Sequence, residues 1–287
     1  MHNEGSLIAF TLLSQLVVGS LLIYSFIHFT AKSATAQLSS GLNIKTPELL
    51  LLAAMIIATT ISFLHLGSPE NAINALNNLA GSWISREILS LSIFSLSLLL
   101  LFLGRWLMKS REGIISFFFL LSAITGIIFI IVMIGLYMIP TVITWATWYT
   151  PLSFVFTTLT LGICGVLAYF MIFRLKIEKI KPLLQLLTIF LFVEALLSVL
   201  NYSMLSNISI PHTNQFLLDN LHFTYTIIRI LVITSLLIFL VFVSRTKVNR
   251  ISFFTIKLLV VLVILLVFFE QYMGRYLFYA GFVKVGL

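Results

Sequence analysis

Charge is scarce in this chain. Of its 287 residues only 9% are Asp, Glu, Lys or Arg, while 60% are hydrophobic and the mean hydropathy is +1.14. A soluble domain carries about 25% charged residues. The deficit excludes a soluble globular domain and a disordered chain, and leaves a polytopic membrane protein. Cysteine is nearly absent, with Cys164 alone inside an apolar run. One thiol makes no internal disulfide, no four-cysteine zinc site and no iron–sulfur cluster, so any electron-transfer centre has to lie on another chain. Acidic residues are few: 9 against 17 Lys and Arg, a formal charge of +8. In a soluble protein that balance invites nucleic acid. In a membrane protein it is a topology signal in short loops, and no nucleic-acid partner is expected.

What the sequence has instead is long apolar runs. They exceed the ~18 residues of a membrane helix repeatedly, whereas barrel strands alternate over ~10 residues. The fold class is therefore all-α. Eight runs qualify, at about 6–29, 47–65, 86–107, 114–138, 151–173, 183–205, 221–243 and 251–273. They are read as a single integral membrane domain, 1–287, of two packed four-helix groups. Local signals mark several boundaries. Thr46-Pro47 and Thr150-Pro151 place a capping hydroxyl before a first-turn proline, and Lys181-Pro182 marks another start. Gly67 and Pro69 stop the second span, and Asn201 to Asn220 reads as a polar loop. The first run is too long for a signal-peptide core and its leader, Met1 to Glu4, carries no Lys or Arg, so it is read as a retained span.

The cations set direction. One side holds Lys32, Lys45, Arg105, Lys109, Arg111, Arg174, Lys176, Lys179, Lys181, Arg245, Lys247, Arg250 and Lys257; the other holds Arg86, Arg275 and Lys284. This asymmetry predicts both termini outside, in the periplasm of a Gram-negative cell. On that outer side, Glu70 to Leu79 reads as a short amphipathic segment along the interface. The loop carrying Trp145, Trp148 and Tyr149 is read either as an aromatic belt or as a docking floor for a partner protein.

Ionisable groups at membrane depth are costly and point to function or to structural pairing. His65 ends the second span on the outer side, where an imidazole accepts a proton and bonds a hydroxyl; the alternative is exposure to headgroups. Arg86 and Glu87 open the third span on that side. Glu87 is read as a second proton acceptor paired with His65, or as an acid favoured by the helix N-terminus. Glu194 and Arg229 lie about 16 and 12 Å deep at ~1.5 Å per residue, which allows a structural ion pair or a proton path. Glu270 and Arg275 bracket the outer end of the last span, and Gln15 lies mid-span in the first. Bis-His haem is not expected, because His65 and His222 alone share a level and both are shallow.

One stretch is more specific: His65-Leu66-Gly67-Ser68-Pro69, continuing through Ala72, Asn74, Leu76, Asn77 and Ser85 to Glu87-Ile88. It resembles the signature of the DmsC family, the membrane-anchor subunits of anaerobic dimethyl sulfoxide reductases. Trp148-Tyr149-Thr150-Pro151, Arg229-Ile230, Glu270 and Gly274-Arg275 extend the resemblance to the last span. It implies an eight-helix anchor in the bacterial inner membrane that oxidises menaquinol and has no haem or cluster of its own. The implied partners are a subunit carrying four [4Fe–4S] clusters and a molybdopterin catalytic subunit. The resemblance also implies that His65 and Glu87 bind and oxidise quinol. Arg86, Gln15, Arg229, Glu270 and Arg275 are further quinol-site candidates. Ser68, Pro69, Asn74, Asn77, Trp145, Trp148 and Tyr149 are docking candidates. Arg86 departs from the neutral polar residue expected there, and pairing with it would make Glu87 a weaker base. The rival functions are a quinone-reducing anchor of the same architecture, a secondary transporter and a purely structural anchor.

Overall fold

The apolar runs fold as continuous helices. The computed structural model describes residues 4–30, 47–63, 74, 76–108, 111–172, 180–206, 220–245 and 253–280. Among them are eight α-helices: α1 (Glu4–Thr30), α2 (Pro47–Phe63), α3 (Trp83–Leu107), α4 (Glu112–Tyr137), α5 (Tyr149–Ile172), α6 (Ile180–Ser206), α7 (Asn220–Arg245) and α8 (Phe253–Ala280), with a 3₁₀ turn at Leu76–Asn78 before α3. Six of them are long and apolar enough to cross a bilayer. The other two, α2 and the 226–241 part of α7, are shorter apolar helices.

A helix satisfies its own backbone, which is what allows apolar sequence to persist in lipid. The interspersed hydroxyls follow the same rule. Ser25, Thr59, Thr60 and Thr158 each donate to the carbonyl four residues back, at 2.7–2.9 Å, so these hydroxyls do not face hydrocarbon unpaired. Two boundaries differ from the sequence expectation. The stretch expected to be a loop from Asn201 is helical through Ser206, because the backbone ladder continues past the polar side chains. The last helix runs past Gly274-Arg275 to Ala280: Gly274 leaves room for the Arg229 side chain and Arg275 lies over the Phe154 ring. The helical run expected from Glu70 to Leu79 falls mostly outside the described residues; its described end is the 3₁₀ turn.

The structure divides into two compact units, 1–136 and 137–287. In the first, α2 packs on both α1 and α3. There α4 is tied to α3 by the Ser97–Thr125 hydroxyl pair at 2.8 Å and by Ser122 donating to the Ser97 carbonyl at 2.9 Å. Near the other end of α3, Arg105 Nε meets the buried Glu48 at 3.3 Å. His28 lies 2.9 Å from the Ser116 hydroxyl and stacks on Phe119. In the second unit α5, α6, α7 and α8 pack in sequence, and α8 returns against α5 to close a four-helix ring.

Candidate functional site

In the first unit the site begins with the start of α3. Ser82 caps the helix: it is extended at φ −120°, ψ 122°, and its hydroxyl accepts from the Ser85 amide at 3.3 Å. The preceding turn is pinned to the helix, with the Ser82 amide donating to the Asn78 carbonyl at 3.0 Å and the Gly81 amide to the Asn78 side chain at 3.2 Å. Arg86 completes the clamp. Its Nε donates to the Leu79 carbonyl at 2.9 Å and its Nη2 to the Ala80 carbonyl at 2.6 Å, and its guanidinium lies 4.6 Å above the Trp83 ring. The expected pairing of Arg86 with Glu87 is thereby corrected: successive helix residues point about 100° apart, and the loop carbonyls take the guanidinium.

Glu87 is half-buried just past the first turn of α3. Among the described residues its Oε1 is inaccessible to solvent and has no hydrogen-bond partner. A carboxylate oxygen in that state is a free acceptor held in an apolar setting, and it calls for an explanation in function or in bound water. His65, Ser68 and Pro69 lie outside the described residues, so the expected His65–Glu87 pairing does too. Asn74 and Asn77 are exposed. Gln15 is fully buried within α1.

In the second unit the polar residues of four helices converge in one network. Arg229 on α7 donates through Nε to Glu270 Oε1 on α8 at 2.6 Å and through Nη1 to the Tyr149 hydroxyl at 3.1 Å. Glu194 on α6, the partner expected from depth alone, lies farther away, its Oε2 4.0 Å from Arg229 Nη2. Gln271 joins the two acids, its amide nitrogen 2.5 Å from Glu194 Oε2 and 2.6 Å from Glu270 Oε2. Thr157 donates to the Gln271 side-chain Oε1 and Thr160 to Glu194 Oε1, each at 2.7 Å. All four carboxylate oxygens therefore accept from a donor, which is what makes burial of two acids tolerable. Gly274 makes room for this: a Cβ there would stand 2.7 Å from Arg229 Cζ and Nη2.

Arg275 is buried with its guanidinium 3.8 Å over the face of Phe154, a cation–π contact between α8 and α5. Beside Arg229 is a cavity of about 70 Å³ lined in part by Thr144, Tyr149, Ser198, Asn201 and Thr226. The aromatic loop, expected as a belt or a docking floor, is partly committed within the unit. Trp145 folds inward, its Nε1 donating to the Phe278 carbonyl at 2.8 Å and its ring stacked on Phe278, and Tyr149 is committed to Arg229. Trp148 alone of the three stays exposed, at 43%.

The sequence reading missed Gln271 and Thr160 as members of the network, and Gly274 as its spacer. The available signal was Gln271 itself, an amide beside Glu270 in an otherwise apolar run. Among the described residues no three His, Cys, Asp or Glu side chains converge to hold a metal ion.

These features define an all-helical, polytopic membrane protein with ionisable groups held inside its helices. The sequence matches the family described as DMSO reductase anchor subunit (DmsC) over residues 1–281, and the protein belongs to that family. Its relatives bear corresponding names. It is 28% identical over 284 residues to the C subunit of anaerobic dimethyl sulfoxide reductase from Haemophilus influenzae, a match spanning 99% of this protein and 96% of that one. It is 34% identical over 160 residues to the anaerobic dimethyl sulfoxide reductase subunit YnfH of Escherichia coli, and 31% identical over 167 residues to the C subunit from the same organism. Each E. coli match spans 56% of this protein and 55% of the relative. No solved structure matches the sequence.

Proposed function

We propose that this protein anchors an S-oxide reductase of the dimethyl sulfoxide reductase kind in the bacterial inner membrane and oxidises menaquinol near the outer face. In this reading all eight helices cross the bilayer and both termini are periplasmic, as the cation asymmetry requires. The observation that carries the proposal is Glu87, which lies just past the first turn of α3 with a buried oxygen that has no hydrogen-bond partner among the described residues.

Oxidation of a quinol to a quinone releases two electrons and two protons. Glu87 and His65 supply two proton acceptors of the kind that reaction needs. With one cysteine the protein has no ligand set for a cluster, so the electrons pass to an iron–sulfur partner, the subunit with four [4Fe–4S] clusters, and then to a molybdopterin subunit that reduces the terminal substrate. Arg86 is occupied by the Leu79 and Ala80 carbonyls, so it shapes the loop and leaves Glu87 free to take a proton. The exposed Asn74, Asn77 and Trp148, with Ser68 and Pro69, are the surface offered to the partners. Protons leave on the outer side, where S-oxide reduction consumes them.

The test is His65→Ala and Glu87→Gln, each in membranes carrying all three subunits. Turnover driven by a menaquinol analogue should fall by roughly 10²-fold or more, the usual weight of a general base. Turnover driven by an artificial dye feeding the catalytic subunit should persist, and so should recovery of the partners on affinity purification. Survival of both activities would remove His65 and Glu87 from the quinol site, and failure of any partner to co-purify with the unaltered protein would remove the anchor reading.

A further inference from the structure

Trp83, the first residue of α3, is fixed at its edge and over its face. The edge fills the space that Gly135 of α4 leaves. A Cβ on Gly135 would meet Trp83 Cζ3 first and would stand 2.6 Å from Cη2 and 2.9 Å from Cε3, all on the six-membered ring of the indole. Over the face, the Arg86 guanidinium lies 4.6 Å from the ring centroid, and Arg86 is itself tied to the Leu79 and Ala80 carbonyls. The ring is held in this way and Trp83 is still 41% exposed.

Its position on the helix matters as much as its rigidity. Residues four apart share a helix face, with Cβ atoms about 5–6 Å apart, and helical side chains point back toward the N-terminus. Glu87 follows Trp83 by four residues, so its carboxyl group, with the buried oxygen that has no partner among the described residues, lies on the indole's face of α3. An interfacial anchor also places a Trp at a helix end. Anchoring in lipid, however, requires neither a glycine seat nor a guanidinium over the ring. A ring already fixed loses little freedom when a ligand packs on it, which favours binding. A quinol head group is a flat aromatic ring with a hydroxyl at each end. Aromatic rings pair with centroids about 4.5–7 Å apart. A quinol ring packed on Trp83 is therefore within one side chain of the Glu87 acceptor.

Given quinol oxidation at Glu87, on which this assignment rests, we propose that Trp83 is a binding residue of the quinol site. Its exposed indole surface packs on the quinol ring while Glu87 accepts from a quinol hydroxyl. Gly135 and Arg86 are the positioning residues that hold the indole in place.

The test uses membranes carrying all the subunits, with a short-tailed menaquinol analogue as electron donor and its tritiated quinone form as the binding probe. Trp83→Ala should raise KM for the donor, and weaken binding of the probe, by roughly 2- to 10-fold, the weight of one aromatic contact. The value of kcat should stay within about twofold, because the proton acceptors are untouched. Gly135→Ala keeps the indole but displaces it. It should raise KM in the native background and add little to Trp83→Phe, whose smaller ring lacks Cζ3 and Cη2. Trp83→Phe and Gly135→Ala supply the same readings if Trp83→Ala does not assemble. Unchanged KM and probe binding in these variants, with quinol-driven turnover lost in Glu87→Gln, overturns Trp83 as a binding residue and leaves the quinol reading standing. Quinol-driven turnover that survives both Glu87→Gln and His65→Ala overturns the quinol reading, and the role of Trp83 with it. A KM increase of the same size from Gly135→Ala in both backgrounds overturns the Gly135 seat.

Discussion

Replacing Gly274 by Ala adds one methyl group, and the structure predicts that its cost arises from a single neighbour. The new Cβ would lie 2.7 Å from Cζ and Nη2 of Arg229 and 3.0 Å from Nε, well inside contact distance. A guanidinium at the end of a free side chain would swing aside at little cost. This one is held by Glu270 at 2.6 Å and Tyr149 at 3.1 Å, so moving it weakens a hydrogen-bonded ion pair and a second bond together. Hydrogen bonds to charged groups are worth about 1.5–3 kcal/mol each, and overpacking costs about 1–3 kcal/mol. Partial relaxation shares these terms, so Gly274→Ala should destabilise the protein by about 2–4 kcal/mol. The assay is denaturant-induced unfolding in detergent micelles, run as a double-mutant cycle with Arg229→Met. In the Met background the ion pair is already gone and the flexible thioether yields to the methyl, so most of the Gly274→Ala penalty should vanish. A penalty of the same size in both backgrounds would refute the assignment of the clash to Arg229.

Other perturbations separate the two units. Ser82→Ala removes the cap of α3 and should cost about 1 kcal/mol, read from the same unfolding assay, with quinol-linked turnover impaired more than dye-linked turnover because Glu87 lies just past the turn that the cap holds. Trp145→Phe keeps the stacking on Phe278 but loses the bond to its carbonyl, a loss of about 1 kcal/mol. Trp148→Ala should leave stability within about 0.5 kcal/mol while lowering partner recovery, because its ring is exposed. Arg105→Met leaves the buried Glu48 without its cation and should cost about 3–5 kcal/mol, reduced when combined with Glu48→Gln.

Much of the fold was legible because it rests on one-dimensional quantities. The length and purity of the apolar runs specify helices, since a lipid environment admits a spanning segment only when each backbone group is satisfied internally. The starting proline of α2 is likewise local, and the element positions follow to within a few residues for most helices; α3 begins at Trp83, before the expected 86, because Ser82 caps it there. Two later boundaries differ too. Asn201 and Gly274-Arg275 read as helix ends, yet both helices continue past them, with Asn201 lining the cavity, Gly274 leaving room for Arg229 and Arg275 lying over Phe154.

The sequence by itself determined that this is an all-helical membrane protein with few, costly ionisable groups. Its HLGSP segment and Glu87 pointed to the anchor-subunit family, which the match over residues 1–281 established. Only the tertiary structure decided which groups meet. Depth along a helix is fixed by residue number at ~1.5 Å per residue, but azimuth and neighbour are fixed by packing. Thus Arg229 pairs most closely with Glu270 and less closely with Glu194, Arg86 turns to the loop carbonyls while Glu87 keeps an oxygen with no partner among the described residues, and Trp145 folds inward while Trp148 faces out.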